Sequence, residues 1–235
     1  MHPVICKIGP VTIYSYGLML AIAFLTSTWL VTQEARRKKF NPAIIFNLSF
    51  LVLAWGIIGA RAFYIIENFG LYLKSPVEIF MLQHGGLSWF GGMLLGLSAA
   101  SIYLKRSKSP IYTTFDLVAP FAALAQALGR VGCLLNGCCF GSTFIPIQIY
   151  SALSLLAIFI LLRLLQERPH KAGSIFYAYL LLYSAKRFFI EFWRLDNPPI
   201  FFGLTLFQII SLILFVISLA WFFIFRIIKN AKLLP

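Results

Sequence analysis

The chain has 235 residues, of which 60% are hydrophobic and 11% charged. A soluble domain carries about a quarter charged residues, so too little charge is left here to wet a surface, and the mean hydropathy is +0.88. This excludes a soluble globule, a disordered chain and a secreted disulfide scaffold, and leaves a polytopic membrane protein. A net charge of +13 would suggest nucleic acid in a soluble protein; in a membrane protein it first asks which side the positive charges occupy.

Seven long apolar runs follow one another, at 11–32, 43–66, 86–104, 114–135, 147–166, 173–192 and 204–225. Each is close to the roughly 20 residues that a helical span needs. Runs of this length without period-2 alternation are helices. The pattern predicts an all-α polytopic membrane protein with seven transmembrane helices, forming one integral membrane domain over 1–235. The start, MHPVICKIGP, lacks a charged n-region and a small-residue cleavage site, so the first run is expected to remain as a span. The stretch 67–85 holds Pro76 and Glu78 among apolar neighbours and reads as a short helix at the interface.

Lys and Arg sort by side. The loops at 36–39, 105–108 and 163–171, with the tail from 226, hold thirteen of the twenty; the opposite loops hold three, Lys7, Lys74 and Arg194. The positive-inside rule then puts the N-terminus outside and the C-terminus in the cytoplasm. Orientation and contact with anionic membrane lipids account for the charge, and no nucleic-acid partner is expected.

Four basic residues remain within or at the ends of spans: Arg61, Arg130, Lys186 and Arg187. A charge in a span is costly and points to function by default. On the predicted topology these residues share the outer leaflet with Tyr14, Tyr16 and the glycine-rich GGLSWFGG (85–92). Asp116, at the inner start of the fourth run, is the exception. Snorkelling is an equal reading for Lys186, and a structural pair for Arg61. Tyr183, Arg187 and Glu191 fall at i, i+4 and i+8 on one helix face, so Glu191 can hold Arg187 in one rotamer. The stretch GRVGCLLNGCCFG (129–141) carries four glycines in thirteen residues. They let backbone approach a ligand or a neighbouring helix closely. Two arginines on separate helices beside glycine turns suit a phosphate group that arrives sideways from lipid, because guanidinium pairs bidentately with phosphate and stays charged in a dry site. Cys133, Cys138 and Cys139 are three thiols with no His beside them, one short of a metal set. They read as small packing residues, with a redox pair as the alternative. No metal and no cofactor is expected.

At this point the chain resembles the prolipoprotein diacylglyceryl transferases of bacterial inner membranes. The matching motifs run in order through YSYGLML (14–20), GARAFY (59–64), GGLSWFGG (85–92), FDLVAP (115–120), GRVGCLLNGCCFG (129–141), PIQIY (146–150), YSAKRFFIEFWR (183–194) and LTLFQIISL (204–212). The resemblance implies transfer of the diacylglyceryl group of phosphatidylglycerol to a cysteine thiol in a prolipoprotein signal peptide. Glycerol phosphate leaves and a thioether forms. It also implies a multi-pass location in the bacterial inner membrane. By the same resemblance Arg130, Arg187 and Tyr16 are the expected catalytic residues. Arg130, Asn136, Gly141, Tyr183, Glu191, Arg194, Gly85 and Gly86 are expected to bind substrate.

The chain departs from the family at three places. Phe90 stands where members carry a motif His proposed to take the thiol proton, and His84 does not replace it by alignment. Cys133 and Cys138 stand in place of Asn and Glu, and Ile145 and Ser151 in place of His and Glu. A thiol has an unperturbed pKa near 8.5. Two guanidiniums beside it favour the thiolate and stabilise charge on the departing phosphate, which lessens the need for a dedicated base. The missing His supports one rival, a diverged relative that binds phospholipid or modifies another acceptor. A transporter or channel would show repeats or midplane polar residues, and neither is present.

Overall fold

In the computed structural model, which describes residues 4–8, 11–74, 76–81, 86–138, 141, 146–194 and 199–231, the first apolar run does not begin as a helix. Its β-branched start, Val11, Thr12 and Ile13, favours a strand. Strand β1 (Val4–Ile8) pairs antiparallel with β2 (Val11–Tyr14), with Cys6 opposite Ile13 and Ile8 opposite Val11. Helix α1 (Ser15–Arg37) follows directly.

Helix α2 (Pro42–Glu67) has a legible start. Asn41 accepts a hydrogen bond from the Ala43 amide at 3.0 Å, and Pro42 occupies the first helical position. The region expected as one interfacial helix holds two short elements, α3 (Phe69–Lys74) and a 3-10 turn at Pro76–Phe80. Helix α4 (Trp89–Arg106) begins three residues after the predicted start of its run, beyond Gly86, whose φ of +78° is left-handed. Then come α5 (Ile111–Asn136), α6 (Ile147–Gln166) and α7 (Ser174–Glu191). A second small hairpin, β3 (Pro199–Phe201) with β4 (Leu204–Thr205), leads into α8 (Leu206–Ala231).

Five of these helices, α1, α2, α5, α6 and the Leu206–Ile224 part of α8, are long and apolar enough to cross a membrane. Large side chains such as Leu25, Trp29, Leu161 and Val216 stand exposed along them, as suits a lipid-solvated surface. The chain is therefore an all-α polytopic membrane protein, its two hairpins aside. The other two long helices have 18 residues each, about 27 Å at 1.5 Å per residue. Glycines, serines and a terminal Lys105–Arg106 pair dilute the apolar character of α4, and Lys186, Arg187 and Glu191 that of α7.

The chain divides into two compact units, Thr32–Ile111 and the combination of Met1–Val31 with Tyr112–Pro235. In the first of these, α2 and α4 meet through glycine. A Cβ on Gly59 would collide with the Gly91 carbonyl oxygen, a Cβ on Gly91 with that of Gly59, and one on Gly92 would lie 3.0 Å from Gly56 O. Only bare backbone permits this approach. The same unit settles Arg61. Its buried guanidinium donates to the carbonyls of Glu78, Ile79 (3.1 Å), Met81 (3.3 Å) and Gly86 (2.9 Å) and lies over the Tyr72 ring. Arg61 is a structural clamp on the backbone of residues 78–81 and Gly86.

The other unit has its core where α5, α6 and α7 meet, around Ala119, Ala123, Ile158, Leu162, Ile175 and Tyr179. Asp116 also finds its role there. Its buried carboxylate accepts from the Gly173 amide at 2.6 Å and the Phe176 amide at 2.8 Å, while Gln166 Nε2 donates to its backbone carbonyl. Gly173, in the left-handed region, has no side chain with which to cap α7, so an acid from α5 satisfies the orphan amides.

Candidate functional site

The site grows from one face of α7. Tyr183, Arg187 and Glu191 repeat every four residues, and both charged side chains turn inward. The Glu191 carboxylate is fully buried. Its Oε2 lies 3.1 Å from Arg187 Nη2 and 4.0 Å from Arg194 Nε. Its Oε1 accepts from Thr205 Oγ1 at 3.2 Å.

Thr205 is itself part of a capping box that starts α8. Its hydroxyl accepts from the Gln208 amide at 3.3 Å, and its own amide donates to Gln208 Oε1 at 2.9 Å. Glu191 therefore faces the N-terminal end of a helix, where an anion is favoured. Phe207, in the same first turn, places its ring 4.5 Å below the Arg187 guanidinium. Arg187 is thus held between a buried carboxylate and an aromatic face. Thr205, Phe207 and Gln208 were not among the expected site residues, although the T-x-x-Q spacing of a capping box stands in the sequence.

The glycine-rich stretch forms the next wall. Helix α5 ends at Asn136, and Gly137 takes a left-handed φ of +72°. The amides of Gly137 and Cys138 both donate back to the Cys133 carbonyl, at 3.1 and 3.2 Å, which closes the helix end. Buried Gln148 of α6 donates to the Cys138 carbonyl at 2.9 Å. Gly141 forms an isolated antiparallel bridge with Arg194. A Cβ on Gly141 would collide with Ile147 and lie 2.9 Å from the Trp193 carbonyl oxygen. Gly141 and Arg194 are thus brought together through backbone, and the stretch after α5 is tied to the end of α7.

Arg130 lies on α5, half-buried. It makes no hydrogen bond or ion pair with another described residue. It is within electrostatic reach of both Lys186 and Arg187. Lys186 also feels Arg187 and Arg194, and its ammonium sits 5.5 Å from the Tyr183 ring centre. A Cβ on Gly132 would lie 2.9 Å from Met19 Cβ and 3.4 Å from Tyr16 Cδ2, so α1 brings Tyr16 against the Arg130 helix. Deeper along α7, Gln126 Nε2 donates to the Tyr179 hydroxyl at 2.8 Å, and Tyr179 leans on Tyr183. Asn136 is half-buried at the end of α5.

Gly86 lies in the unit of residues 32–111, where its carbonyl belongs to the Arg61 clamp. Gly85, His84 and Cys139 lie outside the described residues, as does the side chain of Phe90. Cys133 is buried and Cys138 half-buried, both as free thiols. No group of His, Cys, Asp and Glu suited to a metal occurs among the described residues.

The charge count decides what this arrangement can do. Arg187 and Arg194 share the Glu191 carboxylate, and Arg130 and Lys186 lie within electrostatic reach of Arg187 with no carboxylate of their own among the described residues, in a strongly apolar chain. Such an excess of positive charge is costly until an anion enters. The pair of Arg130 and Arg187 supplies planar donors suited to phosphate.

Comparison with known proteins points the same way. Residues 3–224 match the family model described as prolipoprotein diacylglyceryl transferase. The phosphatidylglycerol--prolipoprotein diacylglyceryl transferase of Clostridium tetani is 31% identical over 254 residues, covering 99% of this chain and 100% of that protein. The protein of the same name from Trichormus variabilis is 32% identical, covering 94% of this chain and 90% of its own length. That of Lactobacillus acidophilus is 27% identical, covering 97% and 92%. With a family match across nearly its whole length, the chain belongs to the prolipoprotein diacylglyceryl transferase family.

Proposed function

We propose that the protein transfers the diacylglyceryl group of phosphatidylglycerol to the lipobox cysteine of prolipoproteins, working as a multi-pass enzyme of the bacterial inner membrane. The cationic cluster around the buried Arg187–Glu191 pair is the observation that carries this reading. Lipid enters sideways, and its phosphate is held by Arg130 and Arg187. The acceptor sulfur attacks the glycerol carbon that bears the phosphate ester. A carbon–sulfur bond forms as the carbon–oxygen bond breaks. Glycerol phosphate leaves with the oxygen and its electron pair, and the proton of the thiol passes to water, so that the released monoester is largely dianionic at neutral pH. Guanidinium charge beside the sulfur favours the thiolate and stabilises the departing phosphate.

The supporting roles follow from the contacts. Glu191 fixes Arg187, while Gly141 ties the glycine-rich stretch to Arg194. Tyr16, Tyr183 and Asn136 border the headgroup space. Gly85 and Gly86 belong to the substrate-binding set by family resemblance. We read residues 1–235 as one transferase domain of seven spans, α4 and α7 included, with the N-terminus outside and the C-terminus cytoplasmic. The loop charges support that orientation, and it puts the cluster in the outer leaflet.

The test is rescue of a bacterial strain depleted of its own transferase, paired with thioether formation on a lipobox peptide in phosphatidylglycerol vesicles. Growth and thioether product are expected. Phe90, in place of the motif His, favours a second reading as a lipid-binding relative. Lipid binding without thioether product would establish it.

A further inference from the structure

Within the cluster, Lys186 has no assigned task. Its neighbour Arg187 is paired to Glu191 at 3.1 Å, and Arg194 lies 4.0 Å from the same carboxylate. Two cations are then left without a carboxylate among the described residues, Arg130 and Lys186. They are within electrostatic reach of each other, although they stand on different helices. Lys186 lies over the Tyr183 ring, which gives its ammonium an apolar support that does not neutralise it. A snorkelling lysine reaches away from like charge towards water. This one lies within reach of three arginines.

The reaction offers a matching change in charge. The phosphodiester of phosphatidylglycerol carries one negative charge. When the carbon–oxygen bond breaks, the leaving group becomes a phosphate monoester, and a second negative charge appears on the oxygen that was bonded to carbon. Phosphate monoesters have a second pKa near 6 and are largely dianionic at neutral pH. Before the step the phosphodiester carries one charge and the acceptor thiolate the other. As the bonds exchange, the second charge moves from sulfur to the departing oxygen, and a cation beside that oxygen meets its counterpart only as the bond breaks.

We propose that Lys186 is a catalytic residue of this reaction, receiving the charge that develops on the departing phosphate oxygen, while Arg130 and Arg187 hold the phosphate throughout. The assignment rests on the transferase reading above. An interaction made mainly in the transition state raises kcat and leaves ground-state lipid binding nearly unchanged.

The experiment compares wild type, Lys186→Met and Lys186→Arg in phosphatidylglycerol vesicles with a lipobox peptide, measuring kcat, KM for lipid and inhibition by added glycerol phosphate. For Lys186→Met, kcat is expected to fall on the order of tenfold to a hundredfold, as when one charge-stabilising donor is removed. KM for lipid should change little and inhibition by glycerol phosphate should weaken, while Lys186→Arg should restore most of the rate. Melting in detergent reports whether each variant folds. If Lys186→Met does not, Lys186→Gln takes its place. An unchanged kcat, or a loss confined to KM, overturns the role of Lys186 while wild-type transfer stands. An inactive wild type overturns the transferase reading itself.

Discussion

Glu191 holds Arg187 at 3.1 Å across one turn of α7, with the carboxylate fully buried and the guanidinium nearly so. The pair is costly to bury and pays only if both members stay. Its value lies in geometry. With Phe207 beneath the guanidinium and Thr205 on the other carboxylate oxygen, Arg187 has one direction in which to present its remaining donors.

Glu191→Gln keeps the shape and removes the charge. Arg187 loses its fixed partner, and the positive cluster loses the one carboxylate paired with it among the described residues. Transfer is expected to fall strongly. The protein should also melt earlier, since breaking a buried pair costs about 3–5 kcal/mol. Transfer assays and thermal melting in detergent check both, and a fully active Glu191→Gln protein would show that Arg187 needs no such positioning.

The two arginines should differ in stability. Arg187→Ala strands a buried carboxylate and is expected to lower the melting temperature. Arg130→Ala removes a side chain with no ion pair among the described residues and relieves repulsion on Lys186. Its melting temperature should hold or rise. Parallel melting curves of the two purified variants decide this; equal destabilisation would contradict it.

Asp116→Ala removes the external cap of α7. Loss of a capping side chain costs about 0.5–2 kcal/mol, and two short bonds to backbone amides are at stake here. Stability should drop by about that amount, with transfer per folded molecule close to wild type. Loss of activity in a fully folded Asp116→Ala protein would show a role beyond capping.

Gly141→Ala places a methyl group against Ile147 and the Trp193 carbonyl. The bridge to Arg194 should open and the end of α7 should lose its tie to the glycine-rich stretch. Reduced transfer with more protease cleavage near residue 141 is expected. Wild-type behaviour on both would mean that Ile147 moves aside without consequence.

The helices were legible because long apolar runs have one solution in a bilayer. The hairpins were not. Val11–Tyr14 is as apolar as the helix it precedes, so hydropathy alone merges the two. The pairing of Arg187 with Glu191 was readable from spacing along one face. Thr205 and Gln208 were hidden because their capping box opens a run already read as a span. Arg61 and Asp116 were ambiguous for a different reason. Their partners are backbone carbonyls and amides of distant segments, which no side-chain pattern announces.

The central claim is that Arg130 and Arg187 together hold the phosphate of the donor lipid. It is tested most directly by thioether formation on a lipobox peptide in phosphatidylglycerol vesicles, using wild type, Arg130→Ala and Arg187→Ala at equal amounts of folded protein. Wild type should form product and both variants should form none. Product from either arginine variant at a rate near wild type would contradict the account.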